Sequence, residues 1–143
     1  MNFKDKKVLV CGIALSGISA AILLNKMGAF VTLQDIKTED KIDSNDLQLI
    51  KDNNINLYLG KNPDDILYDI DYIIVSPGIP LTLPYIQKAK KLNIPIIGEL
   101  ELGYIFCKSQ VIGITGTNGK TTTTTLVSEI IKNFKGKVYT VGN

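Results

Sequence analysis

Five short apolar segments alternate with helix-like segments over the first 97 residues, and this alternation constrains the fold more than any other feature. The apolar segments lie at 8–11, 30–33, 55–59, 72–75 and 94–97. Apolar residues at helical spacing lie between most of them, at 18–27, 44–51 and 84–92. Strands separated by helices are typical of βαβ units. The sequence therefore predicts an α/β fold, a Rossmann-like parallel sheet with helices on both faces.

Three loops follow predicted strands and are expected to lie along one rim, because ligands of parallel sheets bind at the carboxyl ends of the strands. These loops span 12–17, 35–37 and 76–79. The first reads Gly12-Ile13-Ala14-Leu15-Ser16-Gly17, a dinucleotide-type turn with Ala14 at the middle glycine position. Asp35 follows Gly17 by 18 residues. Two interpretations stay open here: an NAD-binding module, or a related fold that holds another nucleotide diphosphate.

A second glycine-rich loop follows an apolar segment at 111–114, which we predict to be a strand. It reads Gly116-Thr117-Asn118-Gly119-Lys120-Thr121-Thr122, and a helix is predicted at about 122–132, then a strand at 137–141. Backbone N–H groups in such a loop approach phosphate oxygens, and the helix N-terminus adds positive charge. The lysine reaches the phosphates and the following Thr hydroxyl ligates Mg²⁺. The sequence thus predicts the truncated start of a P-loop ATPase domain, which an NAD-binding module alone does not explain.

Composition excludes several other classes of function. The 143 residues carry a net charge of +2, which is too weak to indicate nucleic acid or an anionic membrane as a partner. All 16 basic residues are Lys, and the chain has no His. Two cysteines without a signal sequence indicate reduced thiols in the cytoplasm. We expect a domain at 1–97, a linker with a short helical segment at 98–110, and part of an ATPase domain at 111–143.

Acidic residues gather before the fourth predicted strand and at the end of the fifth. Asp64, Asp65, Asp69 and Asp71 lack the pattern of a calcium-binding loop, so we interpret them as a solvated face. Glu99 and Glu101 are assigned no role.

Taken in order, the motifs resemble those of the Mur ligase family over essentially the whole chain. The resemblance rests on both glycine loops and on Asp35-Ile36-Lys37, Ser76-Pro77-Gly78-Ile79-Pro80, Gly98-Glu99-Leu100-Glu101-Leu102 and Gly142-Asn143. It implies an ADP-forming, ATP-dependent amide ligase of peptidoglycan synthesis, with ATP and Mg²⁺ as cofactors. The motifs are most similar to those of members that join D-glutamate to UDP-N-acetylmuramoyl-L-alanine through an acyl phosphate. A member that adds a different amino acid stays open as an alternative.

The resemblance also implies roles for single residues. Leu15 and Ser16 would contact the UDP diphosphate, and Asp35, Ile36 and Lys37 would border the uracil. Gly78 would line the same cleft, and Asn143 would contact the sugar-peptide part. The ATP-binding residues would be Gly116, Thr117, Asn118, Gly119, Lys120, Thr121 and Thr122, with Lys120 catalytic and Thr121 a metal ligand. Neither a nucleic acid nor a membrane partner is implied, a monomer is expected, and the 143 residues alone are expected to form no product.

Overall fold

The computed structural model describes residues 1–135 and 137–141 of the chain. These residues divide into two compact units, Met1–Cys107 and Lys108–Asn143.

The first unit is built on a five-stranded sheet in which every pairing is parallel. The strands are Lys7–Cys11 (β1), Phe30–Asp35 (β2), Asn56–Leu59 (β3), Tyr72–Val75 (β4) and Ile96–Gly98 (β5). Their spatial order is β3-β2-β1-β4-β5. The central strand β1 pairs with β2 on one side and with β4 on the other, so that Cys11 lies opposite both Gln34 and Val75. The predicted parallel α/β fold is confirmed.

Helices cover both faces of the sheet, as the sequence predicts. They are Leu15–Lys26 (α1), Ser44–Asp52 (α2), Pro84–Lys91 (α3) and Glu99–Phe106 (α4), with short 3-10 helices at Glu39–Lys41 and Leu67–Asp69. Alternate residues of β1 face opposite cores, because successive strand residues point to opposite faces. Val8 and Val10 pack with Leu24 of α1 and Leu102 of α4. The residues Leu9 and Cys11 pack on the other face with Leu67, Ile73, Ile86 and Ala89.

Local chemistry explains where several helices begin. The Asp43 carboxylate accepts a hydrogen bond from the Asn45 N–H at 2.8 Å and caps α2. Pro84 occupies the first position of α3, where a missing N–H costs nothing. None of the helices in the described residues has the length and apolar content needed to cross a membrane.

The segment at 98–110, for which the sequence predicts a linker, contains α4. Leu102 of this helix is 1% exposed. The Phe106 ring lies 5.8 Å from the Phe3 ring, measured between centroids. The helix is therefore part of the first core, and this unit extends to Cys107. The domain boundaries drawn from the sequence otherwise stay a prediction.

The second unit contains one helix, Lys120–Lys135 (α5), among its described residues. The strands predicted at 111–114 and 137–141 are not formed in the described residues, and both predictions are wrong for this structure. A strand exists only where a neighbouring strand supplies hydrogen-bond partners. Four apolar side chains of these segments are exposed, namely those of Val111, Ile112, Tyr139 and Val141.

Candidate functional site

The turn at 12–17 joins β1 to α1 and is so tight that two of its positions require glycine. Gly12 has a φ of +105°, and a Cβ there would lie 2.8 Å from the Ser76 Oγ. A Cβ on Gly17 would lie 2.1 Å from the Gly12 carbonyl oxygen, which is inside van der Waals contact. The end of β1 and the start of α1 therefore approach each other as closely as the backbone allows.

Hydrogen bonds from β2 and the residues after it hold this turn on one side. The Gly12 N–H donates to the Gln34 carbonyl oxygen at 2.8 Å. The Ile13 N–H donates to Asp35 Oδ2 at 2.8 Å, and the Lys37 N–H donates to Asp35 Oδ1 at 3.0 Å. The Asp35 carboxylate thus bridges the turn and the loop after β2, a role that the sequence did not predict.

This use of Asp35 bears on the NAD interpretation. In a dinucleotide-binding fold the acid at the end of the second strand accepts hydrogen bonds from ribose hydroxyls. Here each carboxylate oxygen already accepts a backbone N–H. Each oxygen keeps a second lone pair, so these two backbone bonds are compatible with either nucleotide interpretation.

The N-terminus of α1 provides the positive end of a helix next to the turn. Its N-cap residue, Ala14, makes no side-chain cap hydrogen bond, and the first turn of the helix contains no acidic residue. Leu15 and Ser16 are exposed at this end. The first N–H groups of a helix have no partner within it and carry partial positive charge, so they attract an anion such as a diphosphate.

A cleft of about 280 Å³ lies beside the turn. Its lining includes Gly12, Asp35, Ile36, Asn62, Gly78 and Tyr85. Of the predicted substrate residues, the cleft brings together Asp35, Ile36 and Gly78. Leu15, Ser16 and Lys37 are exposed outside this lining. Asn143 lies outside the described residues.

Asn62 is a cleft residue that the sequence analysis missed. It follows β3, whose carboxyl end lies on the same rim as those of β1 and β2. The Gln34 Nε2 donates to the Lys61 carbonyl oxygen at 3.0 Å and holds the loop that carries Asn62. The rule that ligands meet strand carboxyl ends applies to β3 as well and would have singled out this loop.

Tyr85, from α3, forms an uncharged wall of the cleft. It is 2% exposed and shares a hydrogen bond with the buried Cys11 thiol. Burial raises the pKa of Tyr85 above its ordinary value. Burial likewise raises the pKa of Cys11 to about 12. Both groups are protonated near neutral pH, so neither provides a charge for the site.

Three of the acidic residues before β4 pair with lysines, namely Asp65, Asp69 and Asp71. Asp71 accepts hydrogen bonds from the Lys7 N–H at 2.8 Å and from the Lys6 Nζ at 3.2 Å. The first of these bonds is the main reason that the pKa of Asp71 lies below its ordinary value. Asp69 pairs with the Lys7 ammonium. No group of three or more potential metal ligands occurs in the part of the chain that the structure describes.

The second glycine loop, in the second unit, ends at an open helix N-terminus. Gly119 has a φ of +75°, and a Cβ there would meet nothing within 4 Å. The Lys120 Nζ donates to the Gly116 and Thr117 carbonyl oxygens at 2.5 and 3.4 Å. No acidic residue lies in the first turn of α5. An ammonium group on the loop, an open loop and a helix N-terminus together fit a phosphate chain.

Comparisons with known proteins give a consistent result. Residues 6–98 match the family model described as "Mur ligase MurD-like, N-terminal domain". The whole chain is 48% identical to a "UDP-N-acetylmuramoylalanine--D-glutamate ligase" of Clostridioides difficile (strain 630) and 46% identical to one of Caldicellulosiruptor saccharolyticus. It spans 32% of the length of each.

The chain is also similar to a solved ligase structure. A pseudomurein peptide ligase type C from Methanothermus fervidus superposes with a TM-score of 0.59 at 32% identity. The match covers 90% of this chain and 26% of that protein.

Proposed function

The chain belongs to the family of MurD-like Mur ligases, and from this premise we propose that it binds the uridine-nucleotide substrate of an ATP-dependent ligase. The full activity would be the joining of D-glutamate to UDP-N-acetylmuramoyl-L-alanine, with release of ADP and phosphate, in cytoplasmic synthesis of peptidoglycan precursors. The names of relatives at 46–48% identity support this choice. Because the chain spans about a third of those relatives, the activity belongs to the proposal.

The observation that carries the proposal is the uncapped N-terminus of α1 beside a cleft that Asp35 borders. The diphosphate would lie along the first turn of α1, at Leu15 and Ser16, where backbone N–H groups and the helix dipole stabilise negative charge. The exposed Lys37 ammonium would add positive charge nearby.

The uracil would enter the cleft between Asp35, Ile36 and Gly78. The cleft volume of about 280 Å³ is close to the lower end, about 300 Å³, of the usual range for small-molecule sites. The base fits such a space, whereas the rest of the substrate would lie on exposed surface. Each oxygen of Asp35 has a second lone pair, so the carboxylate can accept a hydrogen bond from the uracil imide N–H as well as from the backbone.

We further propose that the loop at 116–122 begins an ATP-binding domain. Gly116, Thr117, Asn118, Gly119 and Thr122 would surround the phosphates, and Thr121 would ligate Mg²⁺, which supplies additional charge neutralisation when bound. The Lys120 ammonium would exchange the Gly116 and Thr117 carbonyl oxygens for phosphate oxygens. Asn143 would contact the sugar-peptide part of the substrate.

The reaction requires ATP because a free carboxylate is a poor electrophile and must be activated. Transfer of the γ-phosphoryl group from ATP to the substrate carboxylate gives an acyl phosphate, and the D-glutamate amine then displaces phosphate. Lys120 would stabilise the charge that develops on the phosphoryl oxygens. A cytoplasmic location is consistent with two cysteines outside any disulfide. We propose a monomer, in keeping with the sequence-based expectation.

Calorimetric titration of the 143-residue chain tests the proposal. UDP is expected to bind with one site per chain, and Asp35→Ala should weaken binding at least tenfold by releasing the turn and removing a uracil contact. Lys120→Ala should weaken binding of ATP and Mg²⁺ but leave UDP binding unchanged. Saturable NADH binding together with no heat from UDP would refute the proposal in favour of an NAD-binding module.

Two further measurements address the ligase chemistry. UDP-N-acetylmuramoyl-L-alanine should bind more tightly than UDP-N-acetylmuramate, whereas the reverse order would indicate a family member that adds a different amino acid. A coupled ADP-release assay with all three substrates should detect no turnover by the 143 residues alone. Substrate-dependent turnover would show that these residues already contain a complete catalytic site.

A further inference from the structure

Glu99 accepts a hydrogen bond from Ser76, and Ser76 contacts the glycine turn on the side opposite Asp35. We propose that Glu99 is a positioning residue for the uridine nucleotide, acting on the turn at 12–17 through Ser76. This inference rests on the proposed function and assigns a role to a residue for which the sequence analysis found none.

Sheet register brings the two side chains together. β4 and β5 are parallel neighbours, and Val75 lies opposite Gly98. Ser76 directly follows β4 and Glu99 directly follows β5, so the two residues lie side by side at the carboxyl edge of the sheet. The Ser76 Oγ–H donates to Glu99 Oε1, and Ser76 is 8% exposed.

Ser76 in turn contacts the glycine turn. Its backbone N–H donates to the Cys11 carbonyl oxygen at 3.2 Å, directly before Gly12. Its Oγ lies 2.8 Å from the position that a Cβ on Gly12 would occupy and 3.4 Å from the corresponding position on Gly17. The hydroxyl therefore packs against the backbone of both glycines, with no side chain between them.

The bond to Glu99 fixes the orientation of this hydroxyl. A serine has one hydroxyl hydrogen, and Ser76 gives it to Glu99. The remaining lone pairs of the Ser76 Oγ are then directed away from Glu99, and the side chain is held in one rotamer. Without the carboxylate, the hydroxyl is released to rotate, and the turn loses the side-chain part of its support on the β4 side, while the Ser76 N–H still donates to the Cys11 carbonyl oxygen.

The support on the β2 side does not depend on Glu99. The Gln34 carbonyl oxygen and the Asp35 carboxylate hold Gly12 and Ile13 independently. Loss of Glu99 is therefore expected to loosen the turn without unfolding the sheet. The effect should appear in nucleotide affinity rather than in thermal stability.

Glu101 offers a matched control for the position of Glu99 on α4. Both acids lie in the first turn of this helix, where they interact favourably with its dipole. Glu101 is exposed, and the hydrogen bond to Ser76 belongs to Glu99. A purely helix-stabilising role would make the two acids equivalent.

The test is calorimetric titration of the 143-residue chain with UDP, together with thermal unfolding of each variant. Glu99→Ala should weaken UDP binding about five- to tenfold, which lies within the range expected for the loss of one typical hydrogen bond. Glu99→Gln should retain binding within about twofold, because its amide oxygen also accepts from Ser76. Glu101→Ala should leave UDP binding unchanged.

The double variant separates a positioning role from an independent one. Ser76→Ala should weaken UDP binding by a similar factor. Adding Glu99→Ala to Ser76→Ala should lower the UDP affinity by less than a further twofold. Ser76→Ala also provides the test if Glu99→Ala does not fold. Equal effects of Glu99→Ala and Glu101→Ala, multiplicative effects in the double variant, or unchanged affinity in Glu99→Ala would each overturn the inference. Absence of UDP binding by the unmodified chain would instead refute the proposed function on which it rests.

Discussion

The two units of the chain contain similar sequence patterns but differ in what surrounds those patterns. In each unit an apolar segment leads into a glycine-rich loop that opens a helix. In the first unit β1 lies between β2 and β4, and helices bury both faces of the sheet. In the described part of the second unit the corresponding segment at 111–114 forms no strand, and Leu126, Ile130 and Phe134 of α5 are at least half exposed.

The difference separates the local from the tertiary requirements of a glycine-rich loop that opens a helix. Loop backbone and helix N-terminus form in both units because glycine and helix geometry determine them locally. A strand and a buried core require neighbouring strands as well.

Truncation of a leucine side chain should have very different effects on stability in the two units. Leu24 of α1 is fully buried, so Leu24→Ala should lower the free energy of unfolding by about 2–5 kcal/mol. Leu126 of α5 is 61% exposed, and Leu126→Ala should change it by less than about 0.5 kcal/mol. Urea unfolding followed by circular dichroism measures both. Equal losses would contradict the contrast between the two units.

Addition of a methyl group should distinguish the first glycine turn from the segment that leads into the second glycine loop. In Gly17→Ala the new Cβ meets the Gly12 carbonyl oxygen. This clash should lower the free energy of unfolding by about 2 kcal/mol and abolish UDP binding. A Cβ on Gly113 meets nothing within 4 Å, so Gly113→Ala should leave stability unchanged. Denaturant midpoints and UDP titrations of both variants check this. Normal UDP binding by Gly17→Ala would argue that the turn does not contact the nucleotide.

The ion pairs of the first unit should make its stability sensitive to acid. The Lys7 N–H, and then the Lys6 ammonium, hold the pKa of Asp71 below its ordinary value of 3.8. A carboxyl whose pKa is lower in the folded state stabilises the fold above its unfolded pKa. That contribution is lost as the pH falls from about 4 through the folded pKa.

Asp71→Asn should remove this part of the acid sensitivity. At pH 7 the substitution should lower the free energy of unfolding by less than about 1 kcal/mol, because water screens a partly exposed group. The thermal unfolding midpoint should fall less between pH 7 and pH 3 for Asp71→Asn than for the unmodified chain. Glu129→Gln, which removes an exposed pair of α5, is the control from the second unit. An equal or larger difference for Asp71→Asn would show that Asp71 is not linked to folding.

Thiol reactivity tests closure of the first core without altering stability. Cys11 is fully buried, and burial raises its pKa to about 12, so it carries little of the reactive thiolate at pH 7. Cys107 is exposed. One thiol per native chain should react with a disulfide reagent, and the second should react only after denaturation. Cys107→Ser should abolish the fast reaction, whereas persistence of that reaction would indicate an open first core.

The contrast between the units also explains what the sequence could predict. The parallel sheet was predictable because short β-branched runs such as Tyr72–Val75 alternate with helical spacing. Asp35, Ile36 and Gly78 were predictable as neighbours because all three follow strand ends. The strand-like pattern at 111–114 and 137–141 was misleading, because a pattern cannot supply a partner strand.

Other features depend on tertiary structure that no local pattern contains. The bridging role of Asp35 requires the Ile13 N–H to face β2, and the Ser76–Glu99 bond requires the register of β4 and β5. The segment containing α4 resembled a linker because only its packing against Phe3 and the sheet reveals it as part of the core.

Amide chemical shifts of the isotopically labelled chain test the central claim most directly, namely that the two loops bind two different nucleotides. UDP is expected to shift the amides of Gly12, Ile13, Leu15 and Ser16 and to leave those at 116–122 unchanged. ATP with Mg²⁺ should shift the amides at 116–122 and leave the first turn unchanged. Shifts of both loops by either nucleotide alone, or movement of the first turn by NADH and not by UDP, would contradict the account.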